Sequence, residues 1–201
     1  MNQEEQGWRF WGTLTRDLQR YTGAECRPWS GRFLRRLARE TYVHPGLIAV
    51  IVYRYGQWVR RRCRIPILRQ LCDLHYHLMF LWVRTQLSIE IPRSTEIGPG
   101  LRVDHFGYLL INSQVKAGRN LWVKPGVVIG QTETGYPTIG DDVEVGVGAK
   151  VLGKIKVGSN VIIGAQSVVT RDVPDNTVVA GVPARVLRSR CPGERECNEE
   201  G

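Results

Sequence analysis

With 201 residues, 42% of them hydrophobic, the chain can bury the core of one sizeable domain or two small ones. Twenty-eight Lys and Arg against 19 Asp and Glu give a formal charge of +9, which favours an anionic partner: nucleic acid, an acidic membrane surface or a phosphorylated cofactor. Cys26, Cys63, Cys72, Cys191 and Cys197 are odd in number and widely spaced with no CxxC pair, which argues against a disulfide framework or a zinc knuckle, and no run of 18 apolar residues supplies a spanning helix.

The first residues, MNQEEQGWRFW, lack the basic start and apolar core of a signal peptide, so a cytoplasmic, reducing location is expected. Helix-like patterns follow over 8–21, 31–42, 47–62 and 68–87, with His44-Pro45-Gly46 punctuating the chain. In the third pattern Val50, Tyr53, Gln57 and Trp58 share a face, with Arg54 expected mostly elsewhere. In the fourth, Leu71, Leu74, Leu78, Leu81 and Trp82 follow the helical period and predict the core of a helical cap. The composition changes near residue 88, from aromatic and basic to Val, Ile and Gly. This divides the chain into an α-helical region over 1–88, a second domain over 89–188 and a polar tail over 189–201, expected to be disordered.

The second domain repeats every six residues. Stepping by six from Ile91 to Val169 meets an aliphatic residue at thirteen of fourteen positions, often followed by Gly, as at Gly98, Gly140, Gly146, Gly158 and Gly164. Neither an amphipathic helix nor an alternating strand has that period. The pattern predicts a mainly β fold: a parallel β-helix in which three six-residue units close a triangular coil of eighteen. The aliphatic residue points inward, Gly permits the corners, and small or β-branched residues such as Ala149, Val161 and Ser167 let coils approach. Glu133 is the exception. A carboxylate in a stacked aliphatic column is costly, so 131–137, QTETGYP, is expected to leave one corner as a loop, a common place for binding residues.

His105, preceded by Asp104, is the single histidine of this domain, two places beyond Val103 and near a corner. One histidine cannot supply the three ligands of a β-helix zinc enzyme, and no metal is expected. Imidazole suits the removal of a hydroxyl proton during acyl transfer. Glu90, fifteen residues earlier and close to one coil away, is the candidate for orienting that imidazole; Asp104 is placed to contact the acceptor, and backbone N–H groups could meet the oxyanion.

These stretches resemble the serine O-acetyltransferases, hexapeptide-repeat enzymes on a left-handed β-helix. IEIPRSTEIGPGLRVDHFGYLLI is similar to their first coil, VEVGVGAKVLGKIKVGSNVIIGAQSVVTRDVPDNTVVAGVPARVL to their last coils, and HPGLIAVIVYRYGQWV to the helix before the prism, together about 40–188. The resemblance implies a left-handed prism and a homotrimer or dimer of trimers with active sites between subunits. It implies acetyl-CoA as donor and serine as acceptor, as in cysteine biosynthesis. His105 matches the catalytic base, Glu90 its carboxylate partner and Asp104 the acceptor-binding acid. Gly130, Ala149, Gly164 and Ala165 fall where that family lines the pantetheine channel, and Arg185 lies near the nucleotide end.

The chain also departs from the family. Gly135-Tyr136-Pro137 stands where the family carries Arg-His-Pro facing the acceptor, Arg27-Pro28 where it carries Asp-Pro, and Asn112-Ser113 where it usually carries Gly-Glu. DHFGYLLIN is also similar to acetyltransferases that decorate sugars in exopolysaccharide assembly, of the colanic-acid type, so a sugar hydroxyl is the alternative acceptor and Tyr136 its acceptor-side residue. A catalytically silent assembly partner is the remaining alternative. Arg60, Arg61, Arg62 and Arg64 beside Tyr53, Tyr55 and Trp58 leave two readings open, peripheral membrane contact or a packing cap with snorkelling arginines. No motif beyond charge suggests nucleic acid.

Overall fold

The structure, a computed structural model, describes residues 10–23, 31–62 and 65–190. Four helices come first: α1 (Phe10–Thr22), α2 (Gly31–Val43), α3 (Gly46–Arg62) and α4 (Pro66–Trp82). Each coincides with one expected pattern. Trp8 and the Cys26-Arg27-Pro28 segment lie outside the described residues. The fourth pattern divides: Pro66 sits in the first turn of α4, and the chain leaves it through a π-helical turn, Val83–Leu87, closed by Ser88 in the left-handed region at φ 56°.

Two expectations about these helices are corrected. Leu71, Leu74, Leu78, Leu81 and Trp82 are not core; they are 49–61% exposed. The α4 face that packs is the aromatic one, around buried Tyr76, continued by buried Val83 at the start of the π-helical turn. Gly56 of α3 makes that possible, because a Cβ there would lie 2.3 Å from the Tyr76 ring, so the missing side chain is the notch that receives Tyr76. Arg54, expected to point away from the packed face of α3, is 2% exposed and meets Asp17 and the first coil of the solenoid.

The second domain is a parallel β-solenoid with three faces. The first holds β1 (Ile89–Glu90), β4 (Leu109–Ile111), β7 (Val128–Gly130), β10 (Lys150–Leu152) and β13 (Val168–Val169). The second holds β2 (Glu96–Ile97), β5 (Lys116–Ala117), β8 (Thr138–Ile139) and β11 (Lys156–Val157). The third holds β3 (Arg102–Val103), β6 (Trp122–Val123), β9 (Glu144–Val145), β12 (Ile162–Ile163), β14 (Thr177–Gly181) and, antiparallel at its end, β15 (Ala184–Ser189). β15 runs one residue past the expected domain end at 188, and Arg190 behind it is buried.

The register refines the six-residue reading. Arg102 pairs with Trp122, Trp122 with Glu144 and Glu144 with Ile162. Successive coils on that face are therefore 20, 22 and 18 residues long. One inward column runs through Ile91, Ile97 and Val103, then Ile111, Ala117, Val123 and Ile129, then Ile139 onward. Leu109, Val115, Leu121 and Val127, expected in that column, fill a second buried position two residues earlier. Two residues are inserted between Val103 and Ile111 and four between Ile129 and Ile139, six in all, so the phase is lost at the first insertion and restored at the second. The second insertion is the 131–137 loop, and Glu133 is exposed in it.

A solenoid exposes the backbone of its first coil, as any sheet edge does. Here the helices cover it. Tyr53 Oη donates to Thr95 O (2.8 Å) and accepts from Ile97 N–H (3.1 Å). Arg54 donates to Ile97 O (2.8 Å) and Gly98 O (2.7 Å), while Asp17 Oδ1 accepts from the N–H groups of Gly100 (2.7 Å) and Leu101 (2.9 Å). Burial pushes the Tyr53 phenol up to about 12, so it stays protonated and keeps both roles.

Candidate active site

The edge joining the third face to the first turns at 104–108, 124–127, 146–149 and 164–167. In the regular coils its left-handed residue comes three places after the inward aliphatic: Gly126 (φ 79°), Gly148 (φ 70°) and Gln166 (φ 55°). In the first coil the two-residue insertion changes this corner. His105 (φ 54°) and Gly107 (φ 132°) both take positive φ, with Phe106 exposed between them. A non-glycine residue in that region costs on the order of 1–3 kcal/mol and is held there by its surroundings. Those surroundings are specific. Gly107 N–H donates to Leu87 O (3.0 Å), Leu109 N–H to Ser88 O (2.9 Å) and Gly126 N–H to Tyr108 O (2.6 Å). From the helices, Tyr21 Oη both donates to Val103 O (3.0 Å) and accepts from Val103 N–H (2.8 Å), and burial holds its phenol well above the usual tyrosine range. Gly46 opens α3 against the same corner; a Cβ there would lie 2.2 Å from Val103 O and 3.0 Å from His105 O.

The result is an exposed imidazole on a braced, sharply turned backbone. Beside it, Asp104 accepts from Arg102 Nε (2.8 Å) and from Trp122 Nε1 (2.6 Å). The Arg102 guanidinium lies 4.4 Å from the Trp122 ring centroid, and Lys124, bonded to Glu144 at 2.7 Å, lies 4.8 Å from it on its own account. Arg102, Trp122, Lys124 and Tyr21 were not among the residues expected here. The 20-residue coil that stacks Arg102 on Trp122 is the signal for two of them, legible only once the insertion at the His105 corner is recognised.

Glu90 stands in β1 on the first face, in register with Leu110. Its side chain is 37% exposed, with Oε2 3.8 Å from Arg84 Nε. Among the described residues no hydrogen bond joins Glu90 to His105. Ala149, Gly164 and Ala165 follow His105 up the same edge; Ala149 is fully buried and Ala165 is exposed. Gly130 and Tyr136 sit on the next edge, between the first and second faces, where Tyr136 Oη accepts from Gln114 Nε2 (3.1 Å). Arg185 is exposed in β15. A cleft of about 370 Å³ in the helical region shares Tyr21 with the His105 corner and is lined also by Thr22, Arg36, Arg39, Glu40 and His44. Among the described residues no three His, Cys, Asp or Glu side chains cluster so as to hold a metal ion.

The family described as bacterial transferase hexapeptide (six repeats) matches residues 136–171. A serine acetyltransferase of Synechococcus elongatus is 36% identical over 148 residues, covering 72% of this chain and 57% of that protein. The chain thus spans somewhat more than half the length of that relative. A crystal structure of Neisseria gonorrhoeae serine acetyltransferase in complex with serine superposes with a TM-score of 0.69 at 25% identity, over 89% of this chain and 69% of that one. A serine acetyltransferase in complex with CoA superposes with a TM-score of 0.66 at 25% identity, over 87% of this chain and 68% of that one.

Proposed function

We propose that this chain, which belongs to the hexapeptide-repeat family that includes the serine acetyltransferases, is an acetyl-CoA-dependent O-acetyltransferase acting on the hydroxyl of L-serine. The observation that carries this reading is the His105 corner: an exposed imidazole on the first of the two insertions that interrupt the regular coils, braced by Tyr21, Gly46 and Leu87. His105 accepts the hydroxyl proton as the acceptor oxygen bonds to the thioester carbonyl carbon. Collapse of the tetrahedral adduct breaks the C–S bond, and the imidazolium returns its proton to the departing sulfur, leaving the acetyl ester and the free thiol of CoA. Glu90 acts as the positioning group for the imidazole; catalytic hydrogen bonds of this kind often tighten only around substrate. Gly164 and Ala165, on the same edge, give the pantetheine arm a small-residue track with the small Ala149 packed beneath it, Gly130 lines it from the neighbouring edge, and Arg185 supplies a cation for its phosphates.

A zwitterionic acceptor needs a cation and an anion. The cleft that shares Tyr21 with the corner offers both, in Arg36 and Arg39 and in Glu40. Tyr136 favours the second reading, a sugar hydroxyl, because an aromatic face suits a pyranose ring better than an amino acid's charged ends. The test is thiol release from acetyl-CoA with L-serine and with simple glycosides, repeated with Tyr136→His. We expect efficient turnover of serine by the wild type, with little gain on substitution. Negligible serine turnover beside a working hexose acceptor would transfer the assignment to the sugar.

The same geometry predicts assembly. His105 and Tyr136 lie on different edges of one prism, so a site using both combines two subunits. Light scattering is expected to give a trimer or a multiple of it; an active particle of a single chain mass excludes a shared site.

A further inference from the structure

We propose that α4 docks the protein on an anionic lipid surface. The helix presents Ile67, Leu68, Leu71, Leu74, Leu78, Leu81 and Trp82 along one face, each 46–74% exposed, while its opposite side is held by Tyr76 and, just beyond its end, Val83. A continuous apolar stripe of this kind on a polar protein marks a surface that something covers. At 17 residues, α4 is about 25 Å long. No helix among the described residues is long and apolar enough to cross a membrane, so the geometry is that of a helix lying in the interface rather than spanning it.

Charge selects the occupant. Residues 31–87 contain eleven arginines, no lysine and two carboxylates, Glu40 and Asp73, an excess of +9. That equals the formal charge of the whole chain, because the remaining 17 basic and 17 acidic residues cancel. α3 ends in Arg60, Arg61 and Arg62, immediately before the stripe begins. A second copy seated on the stripe would set this arginine-rich region against its own like. Anionic headgroups meet it with the opposite sign, while acyl chains take the leucines. The helix also leads to the chemistry: its π-helical exit ends at Leu87, whose carbonyl accepts from Gly107 in the His105 corner (3.0 Å). Docking along α4 therefore holds that corner close to the lipid surface. The proposal does not depend on the identity of the acceptor.

The test is co-sedimentation of the full chain with vesicles of phosphatidylcholine alone or mixed with phosphatidylglycerol. Binding is expected to the mixed vesicles, weakening as salt is raised. Leu71→Glu combined with Leu78→Glu should weaken it by about tenfold or more, and Arg60→Ser or Arg61→Ser by about fivefold each. Circular dichroism and thiol release with a soluble acceptor are expected to match wild type in all of these, which separates lost docking from lost folding. Equal binding of the double leucine variant, or no binding of the folded wild type to mixed vesicles, overturns the proposal. So does a drop in particle mass on Leu71→Glu and Leu78→Glu, which would show a second copy covering the stripe. Failure of thiol release with every acceptor bears on the acetyl-transfer reading alone and leaves the vesicle result standing.

Discussion

Replacing His105 with Asn is expected to lower kcat by about 10²–10⁴, the usual contribution of a general base, while leaving the KM for acetyl-CoA close to wild type. Asn is the better probe than Ala because the backbone here sits at φ 54°, a region Asn tolerates and most residues do not. The side chain is exposed, so the fold should be indifferent to the change. The proposed donor track at Gly164 and Ala165 lies several coils along the edge and should keep its affinity. Glu90→Gln is expected to fall between the two enzymes, because the imidazole survives without its positioning charge. A readout that a purely structural role would not move is the split between kcat and KM: kcat should fall while the KM for acetyl-CoA stays close to wild type. Near-normal turnover by a well-folded His105→Asn enzyme would remove this residue from the mechanism and leave the corner as a strained structural feature only.

The solenoid was legible because its restraint is local and repeated. Every coil needs an aliphatic residue pointing in and a small or left-handed residue at the turn, so Ile97, Gly98, Ile163 and Gly164 announce themselves in one dimension. The exact column was not, because Leu109, Val115, Leu121 and Val127 are as aliphatic as the residues they displaced; two insertions summing to six hid the shift in phase. The loop over 131–137 could be read because Glu133 cannot enter the column. The helices were legible as elements but not as faces. Arg54 looks like a surface cation until Asp17, 37 residues away, is known to meet it. The leucines of α4 look like core until the Gly56 notch shows that Tyr76 wins the packed side. At the candidate site, His105 stood out by its rarity in a Val/Ile/Gly background, and Asp104 by preceding it. Arg102 and Trp122 did not, since only the 20-residue register puts one above the other.

The largest effect on stability is expected at Arg54. The guanidinium is buried between α1 and the first coil: Nε and Nη2 donate to Asp17 (2.7 and 3.1 Å), Nη1 to Gln57 (3.2 Å) and Ile97 O (2.8 Å), and Nη2 to Gly98 O (2.7 Å). Burial is the largest influence and opposes its charge, but Asp17 and Tyr53 together outweigh it and hold the group ionised. Removing one member of a buried pair leaves the other charge without compensation, at about 3–5 kcal/mol. Arg54→Met keeps most of the volume, so its cost should come from stranding the Asp17 carboxylate and two carbonyls at the prism's open edge. Urea unfolding followed by circular dichroism should show the midpoint falling accordingly. Asp17→Asn should cost less, because an amide oxygen can still accept from Gly100 and Leu101. The double variant should cost less than the sum of the two, as expected of residues that share one interaction. The helices carry Tyr21 and Gly46 to the His105 corner, so loosening this anchor should also lower kcat at denaturant concentrations where the prism itself remains folded. If Arg54→Met proves neutral, the pair contributes no net stability, and the docking of the helices rests instead on Tyr53, Tyr21 and the apolar surface around Leu18 and Leu47, which are fully buried.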